Sequence, residues 1–219
     1  MGEVHQVSGL TLVALPYVSK DGFAGPCVES ILKCFASGNM GNVSFFFARD
    51  QTQVRARNAA CEKALEIGAE YLFFVDSDQD FPIEALSRLK AVSADVACAD
   101  MWSRGWPSFR IVMVKGPTDA GGKVHYVPVS DEIAAQEDIE DVSFSGMGCT
   151  LIRTDIIRRM RDAYPEQPWF WTAHSGEDAT FCFKVLEMGG TVKCDFGLKS
   201  GHWSYCRMMG QDYTRRPIE

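Results

Sequence analysis

Five apolar or aromatic residues, Tyr71-Leu72-Phe73-Phe74-Val75, run directly into Asp76-Ser77-Asp78-Gln79-Asp80. A strand buried on both faces would deliver those three carboxylates to its C-terminal end, the edge at which open α/β sheets bind ligands. Hard cations such as Mg²⁺ and Mn²⁺ take oxygen ligands, and alternate acids present two of them together with room for substrate phosphates. The simpler reading is an acidic turn ahead of a helix that Pro82 starts at its first position. Against it, like charges crowded at the end of an apolar strand are costly without a cation among them.

A second acidic pair, Glu177-Asp178, opens an amphipathic segment with Phe181, Val185 and Met188 on one face, ending at Gly189-Gly190. Ser175-x-x-Asp178 is also a capping box, and acids stabilise a helix N-terminus for structural reasons alone. Further candidates are Arg55, Arg57 and Asn58 near the start of another helical stretch, His202 between Gly201 and Trp203, and the aromatic groups Trp102/Trp106 and Trp169-Phe170-Trp171.

The elements that must position these groups alternate. Leu10–Leu15, Val43–Phe47 and Tyr71–Val75 read as buried strands, separated by crossover helices at Gly25–Ser37 and Gln53–Gly68. That βαβαβ opening predicts an α/β protein, a three-layer α/β/α sandwich. The second half predicts strands at Val96–Asp100, Phe109–Val114, Val124–Val127, Val142–Ile152 and Thr191–Phe196, and helices at Pro82–Val92, Thr154–Ala163 and Gly176–Met188. A mixed central sheet follows. Asp131–Asp141, with six acids and no base, reads as an exposed loop or frayed helix.

The 219 residues, 46% hydrophobic and 23% charged, suit one domain over 1–219 with a sizeable core. With 22 basic and 29 acidic side chains the net charge is −7, which disfavours a general nucleic-acid coat or a binder of anionic membranes. No secretory or membrane-spanning segment is expected, and the eight cysteines contain no C-x-x-C pair. They read as buried reduced thiols, and the expected location is cytoplasmic.

Other strand-end aspartate and nucleotide motifs fit less well. A haloacid-dehalogenase-type phosphatase wants Thr or Val at the position of Asp80. No G-x-x-x-x-G-K-[S/T] is present, and the first strand is followed by Pro16-Tyr17-Val18-Ser19 in place of G-x-G-x-x-G. The ordered set Arg55-Ala56-Arg57-Asn58, Tyr71–Val75 with Asp76-Ser77-Asp78, Val142–Arg153 with Gly146 and Gly148, Ser175-Gly176-Glu177-Asp178, and Gly201-His202-Trp203 resembles the GT-A fold nucleotide-sugar glycosyltransferases of the family-2-like group.

The resemblance implies a GT-A (Rossmann-like) fold and a set of roles. Asp76 touches the nucleotide ribose or a metal-bound water. Asp78 binds Mn²⁺ or Mg²⁺ at the diphosphate, with His202 and Asp76 completing the metal set. Arg57 and Asn58 face the diphosphate, and Pro16 and Tyr17 hold the nucleobase. Asp178 is the general base, and Glu177 its acceptor-positioning partner. Trp102, Trp106 and Trp171 form an acceptor side on which sugars stack. The implied reaction is metal-dependent transfer of a sugar, with inversion, from a nucleoside-diphosphate sugar, a UDP-sugar first among donors, to a hydroxyl acceptor. The acceptor is left open among a soluble molecule, a lipid-linked one and a hydroxylated nucleic-acid base, the last permitted by Arg158-Arg159-x-Arg161 and Arg215-Arg216. The alternatives are a sugar nucleotidyltransferase of similar fold and an inactive carbohydrate- or nucleotide-binding relative.

Overall fold

The computed structural model describes residues 7–17, 19, 21–104, 108–172, 176–203 and 207–208. In chain order the elements are β1 (Val7–Tyr17), α1 (Gly25–Ala36), β2 (Val43–Arg49), α2 (Gln53–Glu66), β3 (Ala69–Val75), β4 (Gln79–Asp80), α3 (Ala85–Ala91), β5 (Val96–Met101), β6 (Met113–Thr118), β7 (Val124–Pro128), α4 (Asp131–Ala134), β8 (Ile139–Asp141), β9 (Cys149–Arg153), α5 (Thr154–Ala163), α6 (Gly176–Glu187), β10 (Val192–Trp203) and β11 (Arg207–Met208).

The main sheet runs β11-β10-β5-β9-β3-β1-β2, with β4 and β8 also paired to β10, while β6 and β7 form a separate hairpin. β1 lies parallel to both β2 and β3, and β5 parallel to β10. β9 is inserted antiparallel between β3 and β5, which makes the sheet mixed, as expected. Right-handed crossovers from β1 to β2, and from β2 back over β1 to β3, put α1 and α2 on opposite faces. Adjacent β3 side chains record both layers. Phe73 meets Phe81, whose N–H donates to Ser30 of α1, and Phe74 meets Phe170 beside α2. α5 packs on α2 and α6 in the second layer, and α3 packs across β5, β9 and β10.

Small residues decide how close α2 comes to the sheet. Its buried positions are Ala56, Ala60, Cys61, Ala64 and Leu65, plus one long polar side chain, Arg57. Thr52 caps the helix by accepting from the Arg55 N–H, and Gly68, at φ +66°, turns the chain into β3.

Five elements differ from the sequence reading. The helix predicted from Pro82 starts at Ala85, because the Asp80 carboxylate accepts from the Gly201 N–H and the Trp203 Nε1–H and so draws Gln79–Asp80 into a strand on β10. Val142–Ile152 is a strand only from Cys149. The stretch before it is irregular, with a single bridge from Phe144 to Met113. The strand predicted at Phe109–Val114 begins at Met113, because the buried Arg110 is tied to Asp100 at 2.7 Å and Asp131 at 2.8 Å, leaving one bridge to Trp102. Asp131–Asp141 resolves into the single turn α4 and the exposed edge strand β8. The last strand extends beyond Phe196 to Trp203, through a register shift between Asp195 and Lys199, and carries His202 itself.

Seven cysteines among the described residues are free and buried, as the sequence suggested. Burial pushes the thiols up, to about 11 for Cys34 and about 12 for Cys27 and Cys182. The unfolded chain therefore releases these protons first, near pH 9, while the folded chain holds them. The stability they contribute is complete below about pH 9 and lost as pH rises toward the folded values, at up to about 1.4 kcal/mol per pH unit for each thiol. Denaturant melts under reductant should show stability falling from pH 8.5 to pH 10, and Cys182→Ala should reduce that slope by about one proton's share.

Candidate active site

The acidic turn after β3 is fixed by its backbone, which leaves its side chains directed by register. The Asp76 N–H donates to the Gly148 carbonyl, Gln79 N–H closes the turn on the Asp76 carbonyl, Ala24 N–H reaches the Ser77 carbonyl, and Trp203 N–H reaches the Asp78 carbonyl. Gln79 is buried against Gly148, where an added Cβ would stand 2.4 Å from its amide; its Oε1 accepts from the Ser200 hydroxyl.

From this platform the three aspartates part. Asp76 leans toward Arg57, with Oδ2 3.6 Å from Nη2. Arg57 is 1% exposed and also holds Glu177 at 2.9 Å and Asp178 in direct contact, through Nη1. Its Nε has no hydrogen-bond partner, and Phe170 lies beneath the guanidinium. Asp78 points the other way, to Arg104 in direct contact and to His202, whose Nε2 is 3.3 Å from Oδ2. Asp80 serves β10, as described above.

His202 Nδ1 lies 3.1 Å from the Trp102 carbonyl, so Nδ1–H donates there and the Nε2 lone pair accepts from the Arg104 Nε–H at 3.3 Å. Burial pushes this imidazole below its usual value, and Arg104 beside it adds to the effect, against the Trp102 carbonyl and Asp76, which favour the cation. A neutral imidazole held by its second nitrogen, beside a carboxylate, is a donor pair suited to Mn²⁺. Asp78 and His202 therefore fit a divalent cation, with the 60%-exposed Arg104 side chain now lying against both. Asp76 is turned away from this pair toward Arg57. Among the described residues, no group of three or more His, Cys, Asp or Glu side chains is gathered as a metal centre.

Glu177 and Asp178 occupy the first turn of α6 and line a cleft of about 190 Å³ with Ile111, Met113, Phe144, Ser145 and Gly146. The Ser145 hydroxyl is buried beside this cleft without a hydrogen-bond partner. Ser175, the proposed cap, lies outside the described residues, as do Trp106 and the arginines at 215 and 216.

The remaining candidates are placed as follows. Asn58 donates to the Val54 and Phe170 carbonyls and accepts from the Phe170 N–H, so its amide anchors the 168–172 segment. Pro16 and Tyr17 end β1, and the Tyr17 ring lies 4.7 Å from Phe23 and 6.5 Å from Phe47. Trp102 is buried under the Arg110 guanidinium, 4.7 Å from its ring centre. Trp171 is half-buried, with Lys184 Nζ 3.6 Å from its ring centre. Arg159 caps the end of α6 through the Met188 carbonyl. Sequence reasoning missed Arg104 and Ser145. A basic residue just past the C-terminal end of a parallel strand was the available signal for Arg104, and Ser145 offered none.

Charge, topology and cleft converge at the C-terminal edge of β1, β3 and β5, and the chain has a GT-A-like fold. It is similar over 89% of its length to the crystal structure of A197 from STIV, at TM-score 0.55 and 16% identity, covering 85% of that chain. It is also similar, over 88% of its length, to the structure of GalNAc-T7 with UDP, GalNAc and Mn²⁺, at TM-score 0.52 and 12% identity. There it covers 43% of that chain, less than half of the other protein's length. No protein-family model matches the sequence, and neither does any curated protein. At such identities the likeness is one of fold, and the site must carry any argument about function.

Arg57 supplies the first test of that site. Replacing it with Gln leaves Asp76, Glu177 and Asp178 crowded without their buried cation and should cost about 3–5 kcal/mol. Arg57→Lys keeps the charge but loses the fork that spans the acids, and should cost less, about 1–2 kcal/mol. Denaturant melts of the two variants at neutral pH measure the difference.

Proposed function

We propose that the chain is one GT-A-like glycosyltransferase domain that moves a sugar from a nucleoside-diphosphate donor, a UDP-sugar first, to a hydroxyl acceptor. The observation that carries this reading is the gathering of Asp76, Glu177 and Asp178 on the buried Arg57, with Glu177 and Asp178 also lining a cleft of about 190 Å³, while Asp78 of the same turn faces His202 from the end of β10.

In the proposed reaction the acceptor oxygen attacks the anomeric carbon, the bond from that carbon to the diphosphate oxygen breaks, and the diphosphate leaves with the electron pair. Asp178, on the cleft wall, takes the acceptor's proton. Glu177 beside it orients the hydroxyl. Arg57 is buried beneath these acids and acts on the reaction by holding them in place, not by meeting the diphosphate. Asp78 and His202 would hold Mn²⁺ or Mg²⁺, whose charge stabilises what develops on the departing diphosphate. Tyr17 offers its ring to the nucleobase, and Trp171, held by Lys184, offers a stacking face to the acceptor.

One observation favours a second reading, a nucleotide- or carbohydrate-binding relative without catalysis: Arg104 lies against Asp78 and His202, where a metal would sit. Metal-dependent hydrolysis of a nucleotide sugar by the wild type, absent in Asp78→Ala, decides between the two.

Thermal shift reads the first half of the proposal. A nucleoside diphosphate and Mn²⁺ together should raise the melting temperature by more than the sum of each alone, and Asp78→Asn should lose that excess. Equal nucleotide affinity in EDTA would remove the metal from the scheme. For the second half, Asp178→Asn should keep donor and metal binding while transfer falls by roughly 10²–10⁴-fold. Full transfer by the folded variant would point to a retaining mechanism, in which the leaving diphosphate assists the hydroxyl.

A further inference from the structure

The two edges of the main sheet are treated differently. On one side β10 is covered by the short antiparallel strands β4, β8 and β11, whereas β2 pairs only with β1 among the described residues. Its sequence, Val43-Ser44-Phe45-Phe46-Phe47-Ala48-Arg49, has no proline, bulge or lysine to blunt the open edge. Beside it α1 turns an apolar row outward. Val28, Leu32 and Phe35 of the helix, with Phe45 and Phe47 of the strand, are exposed, and Leu32, Phe35 and Phe47 keep 62%, 61% and 57% of their surface. Between helix and strand runs a groove of about 250 Å³, floored by Leu15, whose lining is entirely apolar.

We propose that this face joins two copies of the chain, with β2 of each pairing antiparallel across a two-fold axis and the α1 rows packing together. Three observations select a second copy as the occupant. The first is area: the five residues present on the order of 500 Å² per copy, in the upper part of the range that monomers carry as their largest apolar patch. Two copies together would hide up to about 1,000 Å², the size that a specific interface should clear, before the backbone edge is counted.

The second is self-complementarity. An antiparallel pairing centred on Phe46 sets Phe45 of each copy opposite Phe47 of the other, on the face that α1 covers, so the exposed rings become cross-strand pairs. The third is charge. α1 carries one acid and one base, Glu29 and Lys33, paired at 2.6 Å, and its antiparallel copy meets them with opposite sign. A lipid surface would instead call for a basic rim, and the chain's net charge is −7.

Sedimentation equilibrium of the full chain over a wide concentration range tests this, because the outcome does not depend on any transferase activity. The wild type should form dimers as concentration rises. Phe47→Lys and, separately, Leu32→Glu should each weaken dimerisation at least about a hundredfold, with the circular dichroism of the monomer unchanged. Amide hydrogen exchange in β2 should slow with concentration in the wild type and not in either variant. A wild type that stays monomeric at its highest soluble concentration overturns the proposal. So does a dimer untouched by both substitutions, or a monomer that floats with phosphatidylcholine–phosphatidylserine vesicles in a Phe47-dependent way.

Discussion

A guanidinium with 1% of its surface exposed is stable only where carboxylates meet it, and Arg57 finds three, on chain segments far apart in sequence. Desolvating such an ion costs several kcal/mol, so the rest of the fold must deliver partners to it accurately. β3 must end just before Asp76, α6 must begin so that Glu177 and Asp178 fall in its first turn, and α2 must lie close to the sheet, which its alanine face permits. The same contacts gather, at the C-terminal edge of the sheet, the acids on which the proposed chemistry rests. Stability and site geometry here are one constraint.

The acidic run after β3 is a division of labour by direction. Asp76 belongs to the Arg57 cluster, Asp78 to Arg104 and His202, and Asp80 to the backbone and indole of β10. Asp80 thereby fastens the strand that carries His202 to the turn that carries Asp78. The irregular stretch before β9 supports this from the other side. Gly148 leaves space for the buried Gln79, and its carbonyl receives the Asp76 N–H. A side chain at position 148 would enter that space, which gives the second glycine of Gly146-Met147-Gly148 a steric reason tied to the site.

The sequence was legible where burial sets a simple period. β3 and α2 were readable from apolar runs and helical spacing, and the three-layer sandwich followed from the βαβαβ opening. It misled where a charged group is buried. Arg110 sits in an apolar context that reads as strand, yet its pairs with Asp100 and Asp131 hold the chain out of regular pairing. Nothing local marks Arg57 as the buried partner of Glu177 or Asn58 as a clasp on Phe170, because those residues stand 120 and 112 positions away. The acids were identifiable as a group from their position after a buried strand; how they divide between two arginines depends on side-chain directions that no spacing encodes.

That division sets the electrostatics of the proposed reaction. Asp76, Asp78, Glu177 and Asp178 are offset in the structure by two guanidiniums, Arg57 and Arg104, so two carboxylates' worth of charge is unmatched, and burial holds His202 toward its neutral form. Arg57 is buried and committed to the acids below the cleft, whereas Arg104 is 60% exposed and hinged on a long side chain. A nucleoside diphosphate arriving at such an edge meets net repulsion unless a divalent cation comes with it. In the proposed scheme Asp78 and His202 would hold the divalent cation, and Arg104, exposed on its long side chain, would then be free to meet diphosphate oxygens. An arginine that guards the metal site without nucleotide and binds the diphosphate with it would reconcile the close Asp78–Arg104 contact with catalysis at the same atoms.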